Sequence, residues 1–330
     1  MGKSVTLSDI AKACGISSVT VSKALTDKKG VSAELRDKIK LTAKQMGYTV
    51  SATSVSKNNH IIGVLIPEKF MNPNGSFYWA LYNNLVKLFK QEGCFCLLET
   101  LSQEDENNLI MPKIITDNTT SVLISLGQLS NDYAQKLSES VSAMLLLDYY
   151  ISGLNVDSVT TNGYGGGYEL TKYLIGLGHR NIGYIGSVKA TSSIFDRYMG
   201  YMKAMIDNDL EVNSKWTLDD RNSRDYIEID FPDKLPTAFV CNCDEVAYLA
   251  IRQLEERGVS VPNDVSIVGY DNYLISELSK PSITTIDVNS EQMAREAVKS
   301  INSRIKDPTA PPSSVTVNGQ LIIKESAIRI

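Results

Sequence analysis

The sequence has few of the residues that build metal or disulfide sites. Its 330 residues include only two histidines and five cysteines, an odd number. Four of the cysteines form the pairs Cys94/Cys96 and Cys241/Cys243, and on a strand a spacing of two puts both members of a pair on one face. With so few histidines, we expect reduced, buried thiols, no metal site and no cofactor.

Signals for membranes and for secretion are missing as well. No apolar run approaches the roughly 20 residues that a helix needs to span a bilayer. No apolar stretch follows the N-terminal Met-Gly-Lys-Ser, which predicts a cytoplasmic protein without a secretory signal. With 43% hydrophobic and 22% charged residues, the composition is typical of a globular protein, and the length predicts two or three domains.

The sequence also lacks the patterns of enzymes. The glycine-rich segment 163–168 has no third fingerprint glycine for a dinucleotide loop, and no P-loop lysine follows it. We interpret this segment as a turn from a strand into a helix. His179 has no nucleophile paired with it by motif, so we expect it to be a structural hydrogen-bonding residue. The absence of a metal cluster, a triad and a nucleotide loop argues against an enzyme.

The first fifty residues contain a helix-turn-helix pattern. Apolar residues at helical spacing predict a first helix, which Thr6 and Asp9 can start with a capping box. Gly15 gives a tight turn, and Ser17 can cap the second helix. A short polar helix on a compact three-helix base is the arrangement that places a helix in the DNA major groove.

Charge is distributed unevenly along the chain. Residues 1–57 carry ten Lys or Arg and four acidic residues, a net charge of +6. The whole chain has a net charge of −5, so the remainder carries −11. A basic N-terminal segment followed by an acidic remainder indicates that only the N-terminal segment contacts phosphates.

After a small, polar segment at 49–60, which we interpret as a linker, strands alternate with helices. The predicted strands cover 61–67, 94–99, 122–126, 144–148, 181–186, 238–241, 265–270, 283–288 and 320–323. The predicted helices cover 77–92, 104–116, 132–139, 164–177, 196–208, 244–257 and 291–306. This alternation predicts two α/β units with parallel sheets, and a small ligand is expected in the cleft at the carboxyl ends of their strands.

Six motifs occur in one order along the chain. They are Val-Thr-Leu-Ser-Asp-Ile-Ala at 5–11, Thr-Val-Ser-Lys at 20–23, Gly-His-Arg-Asn-Ile at 178–182, Arg-Tyr-Met-Gly-Tyr at 197–201, Pro-Asn-Asp-Val-Ser-Ile-Val-Gly-Tyr-Asp at 262–271 and Pro-Ser-Ile-Thr-Thr-Ile at 281–286. Together, and nearly end to end, the chain resembles the LacI/GalR (lac-repressor-like) family of transcriptional regulators.

The resemblance implies a three-part organisation. Residues 1–48 would form an all-α helix-turn-helix DNA-binding domain, and 49–60 a hinge. Residues 61–330 would form an effector-binding and dimerisation domain of two doubly wound parallel-sheet α/β subdomains, similar in fold to periplasmic binding proteins. Subdomain 1 would cover about 61–158 and 290–330, and subdomain 2 about 159–289.

The resemblance places operator contacts on the second helix. Ser18, Val19 and Lys23 stand where the family reads bases; a lysine can donate to guanine, and a valine methyl can meet a thymine methyl. The family usually has arginine at position 23, and lysine lacks its two-pronged contact, so we expect softer base discrimination there. The residues expected to contact phosphates are Thr6, Ser17, Thr20 and Ser22.

The linker departs from the family pattern. Family linkers usually fold on DNA as a hinge helix that begins with Pro-Asn and carries Ala-Arg and a leucine wedge. Here Val50-Ser51 replaces Pro-Asn, no arginine follows, and the segment is about three residues short. Val55 is the candidate for a wedge into a minor-groove step, and a flexible tether is the alternative.

The resemblance also implies an effector site between the two subdomains. The residues expected there are Phe77, Tyr78, Asp148, Ser193, Arg197 and Asp271. Carboxylates and an arginine that make bidentate bonds to neighbouring hydroxyls, beside an aromatic face, suit a sugar.

Two family positions are altered in the second subdomain. Asn162-Gly163 replaces the usual Asp-Asn, and Cys243-Asp244 replaces the usual Asn-Asp, which favours an atypical effector. We expect a sugar-responsive homodimer on a near-palindromic operator, with a nucleobase co-repressor as the alternative. A solute-binding protein or an enzyme of sugar metabolism would need neither the basic N-terminal segment nor the helix-turn-helix pattern.

Overall fold

The computed structural model describes residues 6–25, 31–46, 61–71, 77–221 and 227–330. The chain divides into two compact units, Met1–Lys57 and Asn58–Ile330. Within the described ranges, no helix is long and apolar enough to cross a membrane. All five cysteines are free thiols, but only Cys241 is fully buried, so the expectation of buried thiols holds fully at one position.

The first unit contains three helices, α1 (Leu7–Cys14), α2 (Ser18–Leu25) and α3 (Ala33–Gln45). Ile10 on α1, Val21 on α2 and Ile39 on α3 are wholly buried against one another in a small apolar core. One buried side chain from each helix is what gives this short domain its fixed three-helix base.

The second unit alternates strands and helices, as the sequence predicts. Its helices are α4 (Phe77–Gln91), α5 (Gln103–Asn107), α6 (Lys113–Thr116), α7 (Asn131–Ser140), α8 (Gly163–Gly176), α9 (Ser192–Asp207), α10 (Asp244–Glu256), α11 (Leu274–Leu278) and α12 (Ser290–Lys306). Its strands are β1 (Ile61–Pro67), β2 (Phe95–Leu101), β3 (Val122–Leu126), β4 (Ala143–Leu147), β5 (Asp157–Thr161), β6 (Ile182–Ile185), β7 (Thr217–Leu218), β8 (Ala238–Cys241), β9 (Ser266–Val268), β10 (Thr285–Asp287), β11 (Ser314–Val317) and β12 (Gln320–Ile322).

These strands form two parallel sheets and one small antiparallel pair. The first sheet has the order β11-β5-β4-β3-β1-β2 and the second the order β7-β6-β8-β9. Strands β10 and β12 pair antiparallel. The parallel-sheet α/β units predicted from the alternation, and the doubly wound architecture that the resemblance implies, are therefore present.

Strand β1 shows why the first sheet is covered on both faces. Val64 lies with Ile62 and Ile66 in one apolar core, whereas Leu65 lies in a second core on the opposite face. Successive side chains of a strand point to opposite faces. A strand that is apolar on both faces is typical of a parallel sheet flanked by helices.

The boundary between the two predicted subdomains and one predicted helix differ from the sequence-based expectations. Strand β5 pairs with β4 and β11 in the first sheet, so the predicted subdomain boundary at 158–159 falls inside a strand. The single helix predicted over 104–116 is wrong, because α5 ends at Asn107 and α6 begins only at Lys113. Between them Leu109 has a left-handed backbone (φ 54°) and Pro112 cannot continue a helix.

Candidate DNA-binding and effector sites

In the first unit, two hydroxyl side chains start the helices. Thr6 Oγ1 accepts a hydrogen bond from the Asp9 N–H (3.3 Å), and the Thr6 N–H donates to Asp9 Oδ2 (2.8 Å), which confirms the predicted capping box. Ser17 Oγ accepts from the Thr20 N–H (3.1 Å), which confirms the predicted cap of α2. The left-handed Gly15 (φ 67°) closes α1. Phosphate contacts by Thr6, Ser17 and Thr20 stay predictions.

Helix α2 separates a buried face from an exposed one. Val21 and Ala24 are wholly buried, whereas Ser18 and Lys23 are exposed. The face predicted to read bases is therefore open to solvent at these two positions. The predicted contacts whose side chains lie outside the described residues are Val19, Ser22 and Val55.

In the second unit, two aspartates stand at the carboxyl edges of the two sheets. Asp148 follows β4 directly, and Asp271 lies three residues after β9. Both have left-handed backbones, with φ of 71° and 109°, and Asn272 shares this conformation (φ 52°). Strained backbone of this kind clusters at ligand sites in proteins. The two predicted carboxylates are thus held at the edge where α/β folds bind small molecules.

Arg197 on α9 is the buried cation of this edge. Its side chain is 7% exposed, and Nη2 lies 3.3 Å from Asp271 Oδ1. Its Nη1 donates to the Asn242 carbonyl oxygen (2.5 Å). The guanidinium carbon lies 3.9 Å from the centre of the Tyr270 ring, a cation–π contact. Three different contacts therefore fix the guanidinium beside Asp271, and the structure brings these two predicted site residues together.

An aromatic cluster lies beside Asp148. The Tyr78 hydroxyl donates to Asp148 Oδ2 (3.0 Å). The Tyr78 ring centre lies 5.4 Å from that of Phe77 and 5.0 Å from that of Phe70. The structure therefore brings Tyr78 and Asp148 together, with Phe77 as a neighbour in the same aromatic group.

Burial perturbs both carboxyl groups of the cleft. It raises the pKa of Asp148 to about 6, against the opposing effects of Arg197 and of the Tyr78 hydrogen bond. It raises the pKa of Asp271 to about 7, where Arg197 opposes the shift and the Asp148 charge adds to it. Burial disfavours the charge of Arg197, but Asp271, Tyr270 and Asp148 together outweigh it, and the pKa of the guanidinium is raised. The arginine is therefore a permanent cation between two acids that titrate near neutral pH.

The cleft holds polar atoms that are buried without a hydrogen-bond partner. They are Asp148 Oδ1, Asp271 Oδ1 and Arg197 Nε. Asp271 Oδ1 is ion-paired with Arg197 Nη2, but the pair does not have the geometry of a hydrogen bond. Buried polar groups are nearly always hydrogen-bonded in folded proteins. Two carboxylate acceptors and one guanidinium donor are therefore available to a ligand at this place.

The second unit has two halves, one built on the first sheet and the other on the second sheet, and direct contacts join these halves beside Arg197 and the two aspartates. The N–H and hydroxyl of Ser192 on α9 donate to Gln128 Oε1, at 3.0 and 3.1 Å. The hydroxyl of Tyr150, which follows β4, donates to Asp196 Oδ1 (3.1 Å). Ser193 Oγ lies 3.0 Å from Oγ1 of Thr191, the N-cap of α9, and its contact with the effector stays a prediction. No sequence motif marks Gln128, Ser192 or Tyr150 as residues of this site.

The glycine-rich segment has a packing role in this site. An added Cβ at Gly167 would lie 2.1 Å from the Arg197 carbonyl oxygen, and one at Gly200 would lie 2.1 Å from a carbonyl oxygen of α8. An added Cβ at Gly166 would lie 2.6 Å from the Tyr270 ring. The glycines therefore let α8 and α9 touch, and they make room for the ring that supports Arg197.

Two other features are structural. His179 is buried, with Nδ1 2.9 Å from Thr237 Oγ1 and Nε2 3.1 Å from the Ile328 carbonyl oxygen. Burial lowers its pKa, and its contacts confirm the predicted hydrogen-bonding role. An open groove between α4 and α12 is lined by apolar, polar and charged side chains, of which Arg295 and Lys299 are paired within α12.

Comparison with known proteins supports the same two-part organisation of the chain. Residues 6–51 match the family "Bacterial regulatory proteins, lacI family", and residues 171–327 match the family "Periplasmic binding protein-like domain". The HTH-type transcriptional repressor PurR of Pasteurella multocida (strain Pm70) is 26% identical over 332 residues, which cover 97% of this chain and 98% of the relative.

Solved structures share the fold. A transcriptional regulator CelR–cellobiose complex has a TM-score of 0.68 at 21% identity. A lac repressor dimer bound to operator and the anti-inducer ONPF has a TM-score of 0.66 at 19% identity. Each comparison covers 98% of this chain and 99% of the other. By these matches the chain combines a DNA-binding domain similar to the lacI family of bacterial regulatory proteins with a periplasmic-binding-protein-like domain, and it is a DNA-binding transcriptional regulator, not an enzyme.

Proposed function

We propose that this chain is a cytoplasmic repressor that binds a near-palindromic operator as a homodimer, and that a sugar bound in the cleft of the second unit controls its operator affinity. The observation that carries the ligand assignment is the set of atoms on Asp148, Arg197 and Asp271 that have no hydrogen-bond partner. Two acceptors and a donor can bind adjacent hydroxyl groups of one sugar ring in a bidentate manner.

The aromatic cluster supports the same ligand class. Phe77 and Tyr78 are half-buried beside Asp148, so an apolar ring face stands next to charged acceptors. A sugar has apolar C–H faces and a rim of hydroxyl groups, and it matches both kinds of surface. Small-molecule sites commonly combine apolar walls with a few polar groups that fix orientation.

A nucleobase is the second candidate, and the relatives favour it. Several repressors named PurR, for purine repressor, match nearly the whole chain at 26–28% identity. A base could stack on the same rings and hydrogen-bond to the same carboxylates. The two candidates differ in the number of hydrogen-bond donors that they offer to the two carboxylates. A flat base has fewer such donors than a polyhydroxylated ring has.

Exposed apolar side chains support the dimer. Phe95 (62% exposed) and Leu97 (40%) lie on β2, an edge strand, and Leu274 (57%) and Leu278 (65%) lie on α11. Exposed apolar patches of this kind mark interfaces between proteins. We expect the wild-type protein to sediment at twice the chain mass of 36.3 kDa and Leu278→Glu to shift it toward the monomer. An unchanged dimer in this variant would remove α11 from the interface.

The ligand class is tested by thermal unfolding of the full chain with D-ribose, D-glucose, D-galactose, cellobiose, hypoxanthine and guanine. A compound at about 100 times its Kd stabilises the protein by roughly 2.7 kcal/mol. We expect a sugar to raise the Tm and to change the affinity for operator DNA in a gel-shift titration. A rise with a purine alone would replace the sugar with the second candidate. A rise without any change in operator affinity would contradict control by the cleft.

A further inference from the structure

One more buried polar atom lies at the carboxyl edge of the second sheet, on a residue that contacts Arg197 and that no sequence motif marks. Asn242 follows β8 directly and is 2% exposed. Its N–H donates to the Ile185 carbonyl oxygen at the end of β6 (2.8 Å), and its own carbonyl oxygen accepts from Arg197 Nη1. Asn242 therefore lies at the carboxyl edge of the second sheet and supports the arginine of the cleft.

The orientation of the Asn242 side-chain amide is fixed by a buried carboxylate. Asn242 Nδ2 donates to Asp220 Oδ2 at 2.9 Å. Asp220 is wholly buried and also accepts from the Ser187 N–H (2.7 Å) and from Arg221 Nη2 (3.1 Å). An ionised carboxylate has no hydrogen to donate, so it can only face the NH₂ side of an amide. The oxygen of the amide must then point away from Asp220.

This oxygen, Asn242 Oδ1, is buried and has no hydrogen-bond partner. Leaving a buried acceptor unpaired costs free energy that no packing contact returns. The family position for an asparagine is occupied here by Cys243, so the amide stands one residue earlier than the resemblance leads one to expect. A fixed acceptor without a protein donor is suited to a donor on a ligand.

We propose that Asn242 Oδ1 binds a hydroxyl or N–H donor of the effector, and that Asp220 is the positioning residue that holds the amide in the accepting orientation. The inference rests on the proposed function, because it requires a small molecule in this cleft. It adds a selectivity element: the effector must carry a donor at the position that Asn242 faces. An analogue without that donor leaves the acceptor unpaired in the complex, which sites of this kind reject strongly.

The test compares each parent compound with analogues that lack one donor. A sugar that binds is compared with its deoxy series, and a purine with N-methyl analogues, by calorimetric titration of wild type, Asn242→Leu and Asp220→Asn. We expect the wild type to discriminate about 10- to 100-fold against one analogue. In Asn242→Leu this discrimination is expected to vanish, and in Asp220→Asn to fall in part, because the amide can then turn over.

A matched control and three outcomes complete the experiment. Asn208→Leu removes an asparagine whose amide donates to the Ala204 carbonyl oxygen at the end of α9, and it should keep the wild-type discrimination. Equal loss of affinity for parent and analogues in Asn242→Leu would show a merely structural role and overturn the inference. Binding of a purine alone would overturn the sugar but leave the Asn242 test intact. No binding of any compound to the wild type would overturn the proposed function and this inference with it.

Discussion

Single carboxyl groups in the cleft make the stability of the ligand-free protein depend on pH. The pKa of Asp148 is raised by burial to about 6, whereas an unfolded aspartate titrates near 3.9. Between these values the native state binds more protons than the unfolded state, so stability falls as pH rises through this window. Above about pH 6 the buried Asp148 carboxyl group of the native protein is ionised, and this charge lowers the stability of the native state.

Asp148→Asn removes that charge with little change in shape. The amide oxygen can still accept from the Tyr78 hydroxyl, and asparagine tolerates the left-handed backbone at this position. We expect the variant to gain about 1 kcal/mol relative to wild type between pH 5 and pH 8, measured by urea unfolding at both pH values. Parallel pH profiles of the two proteins would show that Asp148 does not titrate in this range.

On the DNA-binding unit, Lys23 is an exposed residue of α2 whose ammonium group can donate to a base. We expect Lys23→Ala to weaken cognate operator binding by roughly 1–3 kcal/mol and to relax the sequence preference. Lys38→Ala, the same change at an exposed position of α3, serves as the control and should weaken cognate and random DNA alike. The measurement is a fluorescence-anisotropy titration on both DNAs. Equal losses for Lys23→Ala would make it a phosphate contact.

The local chemistry of these residues explains which parts of the site could be predicted. Helix caps depend on neighbours three residues apart, so Thr6 and Ser17 could be assigned from the sequence. Arg197 and Asp271 stand in motifs and could be assigned as well. Asn242 and Gln128 could not, because their roles depend on partners 22 and 64 residues away in the sequence, and no local pattern marks such a pair.

Among the elements, the contact between α8 and α9 determines where Arg197 stands. An added Cβ at Gly167 would lie 2.1 Å from the Arg197 carbonyl oxygen, a backbone atom that cannot rotate away. We expect Gly167→Ala to push the helices apart, to lower stability by about 1–3 kcal/mol as other overpacking changes do, and to weaken the ligand response.

Gly176 is the matched control for this change. It is the last residue of α8, and an added Cβ there meets no atom within 4 Å. Gly176→Ala should therefore be neutral or stabilise the protein by up to about 1 kcal/mol, because alanine favours the helix more than glycine does. Thermal unfolding and ligand titration of both variants give the comparison. Equal behaviour of the two would contradict a tight α8–α9 contact.

The same elements show how far the alternation of strands and helices predicts a fold. The strands of the first sheet up to β4 and the helices α4 and α7 agree with the sequence pattern to within a few residues. Strand β5 was missed because Asp157–Thr161 is polar, and its place in the sheet depends on pairing with β4 and β11. Pairing partners that are distant in sequence leave no periodic signal in the strand itself.

In the whole molecule, ligand binding must change a contact between the halves of the second unit if it is to act at a distance. The contacts that span them include Gln128–Ser192 and Tyr150–Asp196, both beside the cleft. A ligand shifts a conformational equilibrium only by its difference in affinity for the two states. These pairs are therefore the places where a bound ligand can favour one arrangement of the halves over another.

We expect the linker to transmit this change to the DNA-binding unit. Residues 49–60 lie outside the described residues, and the sequence gives them many Ser and Thr and no Pro-Asn start, so we expect weak helicity, little bending of the operator and no wedge at Val55. Coupling would then act through the spacing of the two DNA-binding units of a dimer. It must also be reciprocal, because the operator changes the ligand affinity by the same factor by which the ligand changes the operator affinity.

Inserting Gly-Ser-Gly-Ser after Ser54 tests this mechanism on the complete protein. A longer flexible tether lowers the effective concentration of the second unit at its half-site, so specific affinity should fall. Ligand affinity is measured with and without operator, and operator affinity with and without ligand. In the insertion variant neither affinity should depend on the other partner any longer, while affinity for random DNA stays the same. An insertion that leaves the coupling factor unchanged would contradict control by spacing. An ordered helix at 51–57 in a DNA complex, with Val55 between base pairs, would instead assign the coupling to a hinge helix.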